Sequence, residues 1–319
     1  MAVSLNMSYP EPKIYYRSLS PLLDRSVLAG GPDWNQIFGR SAPRELEIGF
    51  GNGEYLNRSS LAAPENDFIG LEIAWASVKR ALRRLAEPPR TNVRLLCLPA
   101  KPALELLFPP ESLDVIRVLF PVPWPRASHE NKRLFSAAFL SLASGRLKKE
   151  GLFYLVTDDL NLAQWTQEQA RSSDLSLVLA QKPAHLDTKY ERKWQNSGQQ
   201  VFYHLQGHPG SRRSAPPPGL LIMQPAFLSD FDPRTYSPRG QTGPVTVVFG
   251  DFLYDPLRRE GLLLAKVAED QFVQEFFIRL APLPDGRYKL TPAVFGQALP
   301  TAGVQTALIL AAAESGDRV

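Results

Sequence analysis

The stretch RELEIGFGNGEYL, residues 44 to 56, decides how this chain is read. Residues 44 to 50 alternate and then concentrate apolar side chains as a short strand does, and GNGEYLNRSSLA (51 to 62) starts a helix. Between them stand Gly49, Gly51 and Gly53. Glycine tolerates positive φ and close backbone approach, so an adenosine-bearing ligand can lie across such a strand end. The pattern departs from the dinucleotide fingerprint, because Tyr55 and Leu56 stand where its third glycine is expected. Glu72 closes the next apolar run, DFIGLEI (67 to 73), where an acid can accept hydrogen bonds from ribose hydroxyls. A glycine loop followed by an acidic strand end serves S-adenosylmethionine-dependent methyltransferases and NAD enzymes alike.

Working outward, further strands are expected at NVRLLCL (92 to 98), SLDVIRVLF (112 to 120) and GLFYLVTD (151 to 158). A helix is expected to start within 51 to 62, and others are expected at 74 to 85, with its cations outward, and at 131 to 147. On the last of these Leu134, Phe135, Ala138, Phe139 and Leu142 would share one face. Strand alternating with helix implies right-handed crossovers and a mainly parallel, Rossmann-like α/β sheet. Residues 1–40 lack clear periodicity and read as an irregular N-terminal arm, and 41–210 as the ligand-binding unit. SRRSAPPPG (211–219) reads as a proline-rich linker. Beyond it, 244 to 255, 261 to 268 and 271 to 281 are β-branched and aromatic, and DGRYKL (285 to 290) suits a hairpin corner. A smaller β-rich α+β domain is therefore expected over 220–319.

The chain has 319 residues, 44% hydrophobic, enough for two domains with real cores. No run of about 18 apolar residues occurs and the start lacks a signal-like apolar stretch, so a soluble cytoplasmic protein is expected. One cysteine, Cys97, excludes an internal disulfide, and with four histidines no Cys/His zinc cluster forms, so no metal is expected. Cys97 reads as strand packing. His204 and His208 have ligand-like spacing, but Gly207 and Pro209 break any helix between them. Asp159 suits a helix cap.

The net charge of +4 is clustered. Lys79, Arg80, Arg83, Arg84, Arg90 and Arg94 form one group, and Arg126, Lys132, Arg133, Arg146, Lys148 and Lys149 another. A solvated helix face is the plain reading of either cluster alone, whereas two beside one ligand site favour a polyanion. The second group follows FPVPWPRASHENKR (120 to 133), a prolyl turn at the carboxyl end of the fourth strand. In open α/β sheets ligands bind at such ends.

Seven ordered segments carry a resemblance. LEIGFGNGEYL, DFIGLEI, NVRLLC, FPPESLD, FPVPWPRASHENKRLF, LVTDD and TKYERKWQNSGQQVF, spanning roughly residues 44 to 205, resemble the bacterial tRNA (guanine-N(7)-)-methyltransferase family. The resemblance implies S-adenosylmethionine as methyl donor and a guanosine in the tRNA variable loop as acceptor. It assigns the donor to Glu47, Gly49, Gly51, Gly53 and Glu72, with Pro99 and Ala100 where the family has Asp-Ala near the adenine. It assigns the substrate to Arg126, His129, Lys132, Arg133, Asp158, Thr188, Lys189, Tyr190 and Glu191. Val122 stands where the family's Pro-Asp-Pro-Trp carries its active-centre aspartate, and Ser128 and Asn131 replace preferred cations. Trp124 reads as a pocket wall or plain packing before a stacking platform.

Chemistry leaves two functional readings open. Guanine N-7 has an in-plane lone pair and no proton, so methyl transfer needs alignment more than a general base. An active tRNA methyltransferase is one reading; a protein of the same fold that binds tRNA or S-adenosylmethionine without transfer is the other. A generic small-molecule methyltransferase or NAD enzyme ranks below both. Self-association is not readable.

Overall fold

The computed structural model describes residues 19–211, 220–269, 272–293 and 298–313. Most of the expected linker, 212–219, and the first 18 residues of the expected arm lie outside these. Residues 19–40 do not stand apart from the sheet. Leu22 bridges Leu95, and the short helix α1 (Trp34–Phe38) buries Trp34 flat on Phe108, ring centroids 5.2 Å apart. The Trp34 indole donates to the Leu107 carbonyl at 2.9 Å, so its one polar group is satisfied in the core. Asp33 caps α1 through the Asn35 and Gln36 amides.

The first sheet takes shape from apolar runs buried on both faces, as parallel strands require. Its strands are β1 (Arg44–Ile48), β2 (Asp67–Leu71), β3 (Val93–Leu96), β4 (Leu113–Leu119), β5 (Leu147–Thr157), β6 (Leu175–Pro183) and β7 (Val201–Pro209). They lie in the order β3-β2-β1-β4-β5-β7-β6. Strands β1 to β5 run parallel to one another, and β7 runs antiparallel to both β5 and β6. The order reverses between β1 and β4, which opens a crevice at their carboxyl ends. Helices α2 (Glu54–Ala62), α3 (Trp75–Leu85), α4 (Ala100–Leu107), α5 (Ala137–Arg146), α6 (Leu160–Arg171) and α7 (Lys189–Asn196) connect the strands. On α3, Val78, Ala81, Leu82 and Leu85 are buried while Lys79, Arg80, Arg83 and Arg84 face out, as the sequence implies.

The helix expected from 131 begins later. A 3-10 segment occupies Ala127–Lys132, and α5 starts at Ala137 under a Ser136 cap. Phe135 is buried ahead of the helix and Ala138 is exposed, so the expected face is built partly from non-helical chain. Strand β5 also begins earlier than expected, taking in Lys148, Lys149 and Glu150. This splits the second basic cluster. Arg146 is buried with its Nε on the Leu104 carbonyl, and Lys148 pairs with Asp114, both at the amino end of β5 and away from the crevice. In the first cluster, Arg90 is buried against Asn57, and Arg94 binds the carbonyls of Thr91, Val93 and Ile37.

Beyond residue 220 a second, antiparallel sheet follows, in the order β8-β12-β11-β10-β9. Its strands are β8 (Ala226–Leu228), β9 (Val245–Asp255), β10 (Glu260–Glu269), β11 (Phe272–Pro282) and β12 (Tyr288–Pro292). Helix α8 (Ala302–Ala312) lays Val304, Ala307, Leu308 and Ala311 on Val267, Phe276 and Ile278 to make a core of its own. The β11–β12 corner is a tight turn with Gly286 at φ 87° and the Arg287 amide on Asp285. Among the described residues no helix is long and apolar enough to cross a membrane.

Candidate active site

At the crevice the backbone leaves β1 through three left-handed glycines, Gly49, Gly51 and Gly53, with φ between 55° and 73°. At Gly49 and Gly51 a Cβ would meet nothing within 4 Å, because both line an open cleft. Gly53 is small for another reason: a Cβ there would lie 2.7 Å from the Cβ of Ala81, so the residue lets α2 close onto α3. Glu72 holds the loop from the end of β2. One carboxylate oxygen accepts from the Gly51 amide at 3.0 Å and the other from Ile73 and Ala74 at 2.8 and 2.9 Å. A carboxylate has about four acceptor sites, so the three amides leave one open.

Glu47 is different. It lines the cleft, is only 5% exposed, and its Oε2 has no hydrogen-bond partner. Burial pushes its carboxyl up to about 8, with Arg117 and Arg58 pulling the other way. A buried acceptor left open beside glycines that give it room fits a ligand carrying hydroxyl or ammonium donors, as the aminoacyl-nucleoside S-adenosylmethionine does.

The far wall of the cleft comes from distant sequence. Thr188, Lys189 and Tyr190 line it opposite the glycine loop, together with Tyr55, Arg80 and Phe120. The Lys189 amide and the Arg192 guanidinium both reach Glu54 at 2.8 Å, tying the start of α7 to the start of α2. Arg58 adds bonds to Asp187 and the Leu186 carbonyl. The Phe120 and Tyr190 rings lie 6.1 Å apart and 25° from parallel. Glu191 is fully buried. Its carboxylate accepts the amides of His185, Leu186 and Thr188, and the Thr188 hydroxyl accepts in turn from the Glu191 amide, a capping box that shapes the loop.

The prolyl turn sits at the end of β4 under strain. Phe120 and Trp124 have φ of 53° and 45°, which bulky residues adopt only when their surroundings hold them, at a cost on the order of 1–3 kcal/mol each. Arg133 supplies one hold, its Nε on the Trp124 carbonyl at 3.2 Å and its guanidinium over Trp165. Lys132 lies over the Trp124 ring at 4.9 Å. Val122 projects into solvent, 65% exposed, and Arg126 is exposed beside it. Nothing is described for the His129 side chain. Asp158, half-buried at the end of β5, has its carboxyl pushed up by desolvation and by Asp159, with Lys193 opposing. Asp159 caps α6 through the Leu162 amide, as expected.

Of the expected site residues, Glu47, Gly49, Gly51, Thr188, Lys189 and Tyr190 meet around one cleft. Val122, Arg126, Lys132 and Asp158 do not line it, standing instead at the ends of β4 and β5 beside it. Pro99 and Ala100 begin α4 beyond the edge strand β3 and also lie outside it. Cys97 follows β3 half-buried, its Sγ 3.7 Å from the Ile73 carbonyl. His204 is buried in β7, bonded to Tyr154, and His208 binds the Gly151 carbonyl. The expectations for this region did not include Arg117, Tyr55, Tyr154 and Arg58. The signal available for Arg117 was a cation inside the apolar run LDVIRVL.

Residues 41–204 match the family model described as "Putative methyltransferase". A tRNA (guanine-N(7)-)-methyltransferase of Deinococcus radiodurans is 35% identical over 285 residues, 83% of this chain and 87% of that protein. The chain belongs to the tRNA (guanine-N(7)-)-methyltransferase family. Another relative of that name, from Thermus thermophilus, is 39% identical over 54% of this chain and 56% of its own length. The Chlorobium phaeobacteroides member is 35% identical over 60% of this chain and 95% of its own length. Among solved structures, an antibiotic-related methyltransferase overlays with a TM-score of 0.46 at 14% identity, covering 58% of this chain and 94% of that one. The 16S rRNA methyltransferase KamB gives 0.45 at 15% identity, covering 56% and 93%. The Deinococcus alignment is longer than the first sheet, so this family member shares sequence with a relative in the appended C-terminal region as well.

Proposed function

We propose that the chain transfers a methyl group from S-adenosylmethionine to N-7 of a guanosine in the tRNA variable loop, in the cytoplasm where tRNA resides. The observation that carries this is the buried, unpartnered Glu47 oxygen over open glycine space at the strand crossover of a chain in this family. When bound, S-adenosylmethionine supplies an electrophilic sulfonium methyl. Glu47 and Glu72 offer acceptors to its donors, while Gly49 and Gly51 let its body approach the backbone and Gly53 seats α2 behind it. Pro99 and Ala100 bring no acid to the adenine side, so the two glutamates carry the polar part of binding.

No side chain needs to remove a proton, since N-7 attacks through a lone pair in the plane of the base. The protein's task is alignment, worth several kcal/mol when the reacting atoms are held in line. Asp158, at the end of β5, is the carboxylate suited to accept from the Watson–Crick edge of guanine, because Val122 cannot. Phe120 and Tyr190 offer aromatic faces, and the capped Thr188–Glu191 turn fixes where Tyr190 stands. Arg126 and Lys132 meet phosphate, giving salt-dependent affinity without sequence information; Arg133 serves mainly to brace the turn. No metal enters this scheme. Residues 41–210 are the catalytic unit in this reading, and 220–319 an appended unit.

The test is transfer of a labelled methyl group from S-adenosylmethionine to unmodified tRNA, with Val122→Asp assayed beside the natural protein. Formation of 7-methylguanosine by the natural protein is the expected result, with Val122→Asp raising kcat by about tenfold or less if alignment dominates. Silence from the natural protein together with transfer by Val122→Asp would mean a tRNA-binding protein that has lost catalysis.

A further inference from the structure

Arg117 is a cation within a buried strand, and the site as described gives it no task. It stands on β4 directly between Glu47 of β1 and Tyr154 of β5 in the sheet register. Its Nε donates to Glu45 at 3.1 Å, and its guanidinium lies 5.6 Å from the Tyr55 ring centre and 5.5 Å from that of Tyr154. Tyr55 is a wall of the cleft, and Tyr154 is pinned by its hydroxyl 2.6 Å from His204 Nδ1. A guanidinium held between two rings and a carboxylate is fixed in direction as well as in charge.

We propose that Arg117 is a positioning residue for the methyl donor: its guanidinium favours the ionised form of Glu47 and holds the Tyr55 ring upright on the cleft wall, while itself touching neither donor nor tRNA. This rests on reading the cleft as the S-adenosylmethionine site. The charges facing Glu47 are Arg117 from β4, Arg58 from α2, Glu45 from β1 and Glu72 from the end of β2. Burial raises the Glu47 pKa, and Arg117 is the strongest influence against that rise. A cationic donor binds better to the ionised acid. Affinity should therefore improve as pH rises toward about 8 and level beyond it. The position of that break reports on Arg117.

The measurement is KM for S-adenosylmethionine against pH, with KM for tRNA alongside, in the natural protein and in Arg117→Met, Arg117→Lys, Glu45→Gln and Glu47→Gln. Arg117→Met is expected to raise KM for the donor about tenfold, more than it lowers kcat, and to move the break to higher pH. Glu45→Gln removes an anion and should move the break the opposite way. This exchange leaves the buried strand intact, so it keeps the test alive if Arg117→Met does not fold. Arg117→Lys keeps the charge but loses the flat stack, so the break stays near its natural place while KM rises. A break that does not move in Arg117→Met or Glu45→Gln overturns the proposal. If Glu47→Gln still shows the natural KM and pH profile, the reading of the cleft itself fails instead.

Discussion

Glu47 shows what a single residue sets for this site. Its carboxyl is desolvated by burial, with a pKa raised from the ordinary 4.5 to about 8. The folded state then holds a proton that the unfolded chain releases. This contribution to stability is fully present below about pH 4.5 and is lost as pH climbs through about 8. Replacing the acid with an amide of nearly the same shape removes that slope. Glu47→Gln should match the natural protein in urea denaturation near pH 5 and exceed it by roughly 2–4 kcal/mol near pH 9, both without ligand. Equal midpoints at the higher pH would show that Glu47 is solvated when the cleft is empty. The same variant should bind S-adenosylmethionine less well, so stability and function pull this position in opposite directions.

At the scale of elements, the Thr188–Glu191 turn acts through its backbone. Glu191 accepts three amides from the loop before α7, and those bonds hold Lys189 and Tyr190 against the cleft. Glu191→Ala would leave the amides of His185, Leu186 and Thr188 without a protein acceptor, at a cost of about 2–3 kcal/mol localised to this loop. Hydrogen exchange should quicken at those three amides while β1 and β4 stay protected; unchanged exchange there would contradict the account. The Thr-x-x-Glu spacing is a capping signature legible in sequence, yet the segment reads first as a substrate loop because its order among the motifs dominates. The glycine loop, the first four strands and the outward cations of α3 were equally legible, since each follows from local periodicity. Strands β6 and β7 were not expected. Their outer positions Ser176, Gln181, Lys182 and Gln206 are polar, as suits an antiparallel flank, and they lack the unbroken apolar run that announces β2. The cluster of Arg146, Lys148 and Lys149 misled for a related reason: composition records the charges but not which end of β5 they occupy.

The whole molecule joins two cores that the proline-rich stretch in sequence would leave separate. Leu299 is fully buried in the main cluster of the first sheet, Leu220 joins it there, and Phe272 from the start of β11 packs against it. The buried amide of Gln274 accepts from the Leu299 amide at 2.7 Å and donates to the Leu299 carbonyl and to Thr301. A further backbone bond runs from Leu221 to the Pro300 carbonyl at 2.7 Å. One leucine with its polar backbone satisfied thus fastens the appended sheet to the catalytic one, while α8 gives that sheet a core able to persist alone. Coupling of this kind should make heating of the natural protein a single calorimetric transition. Leu299→Ala should cost about 2–4 kcal/mol, and Gln274→Ala should add to it by leaving buried backbone groups unpaired. In the double variant the endotherm should divide in two, the lower step tracking near-UV signals from Phe272 and Tyr288 or from the tryptophans, all of which lie in the first unit. If the natural protein already melts in two steps, this fastening is too weak to couple the cores. If the double variant still melts in one, other contacts carry the coupling and Leu299 is only packing.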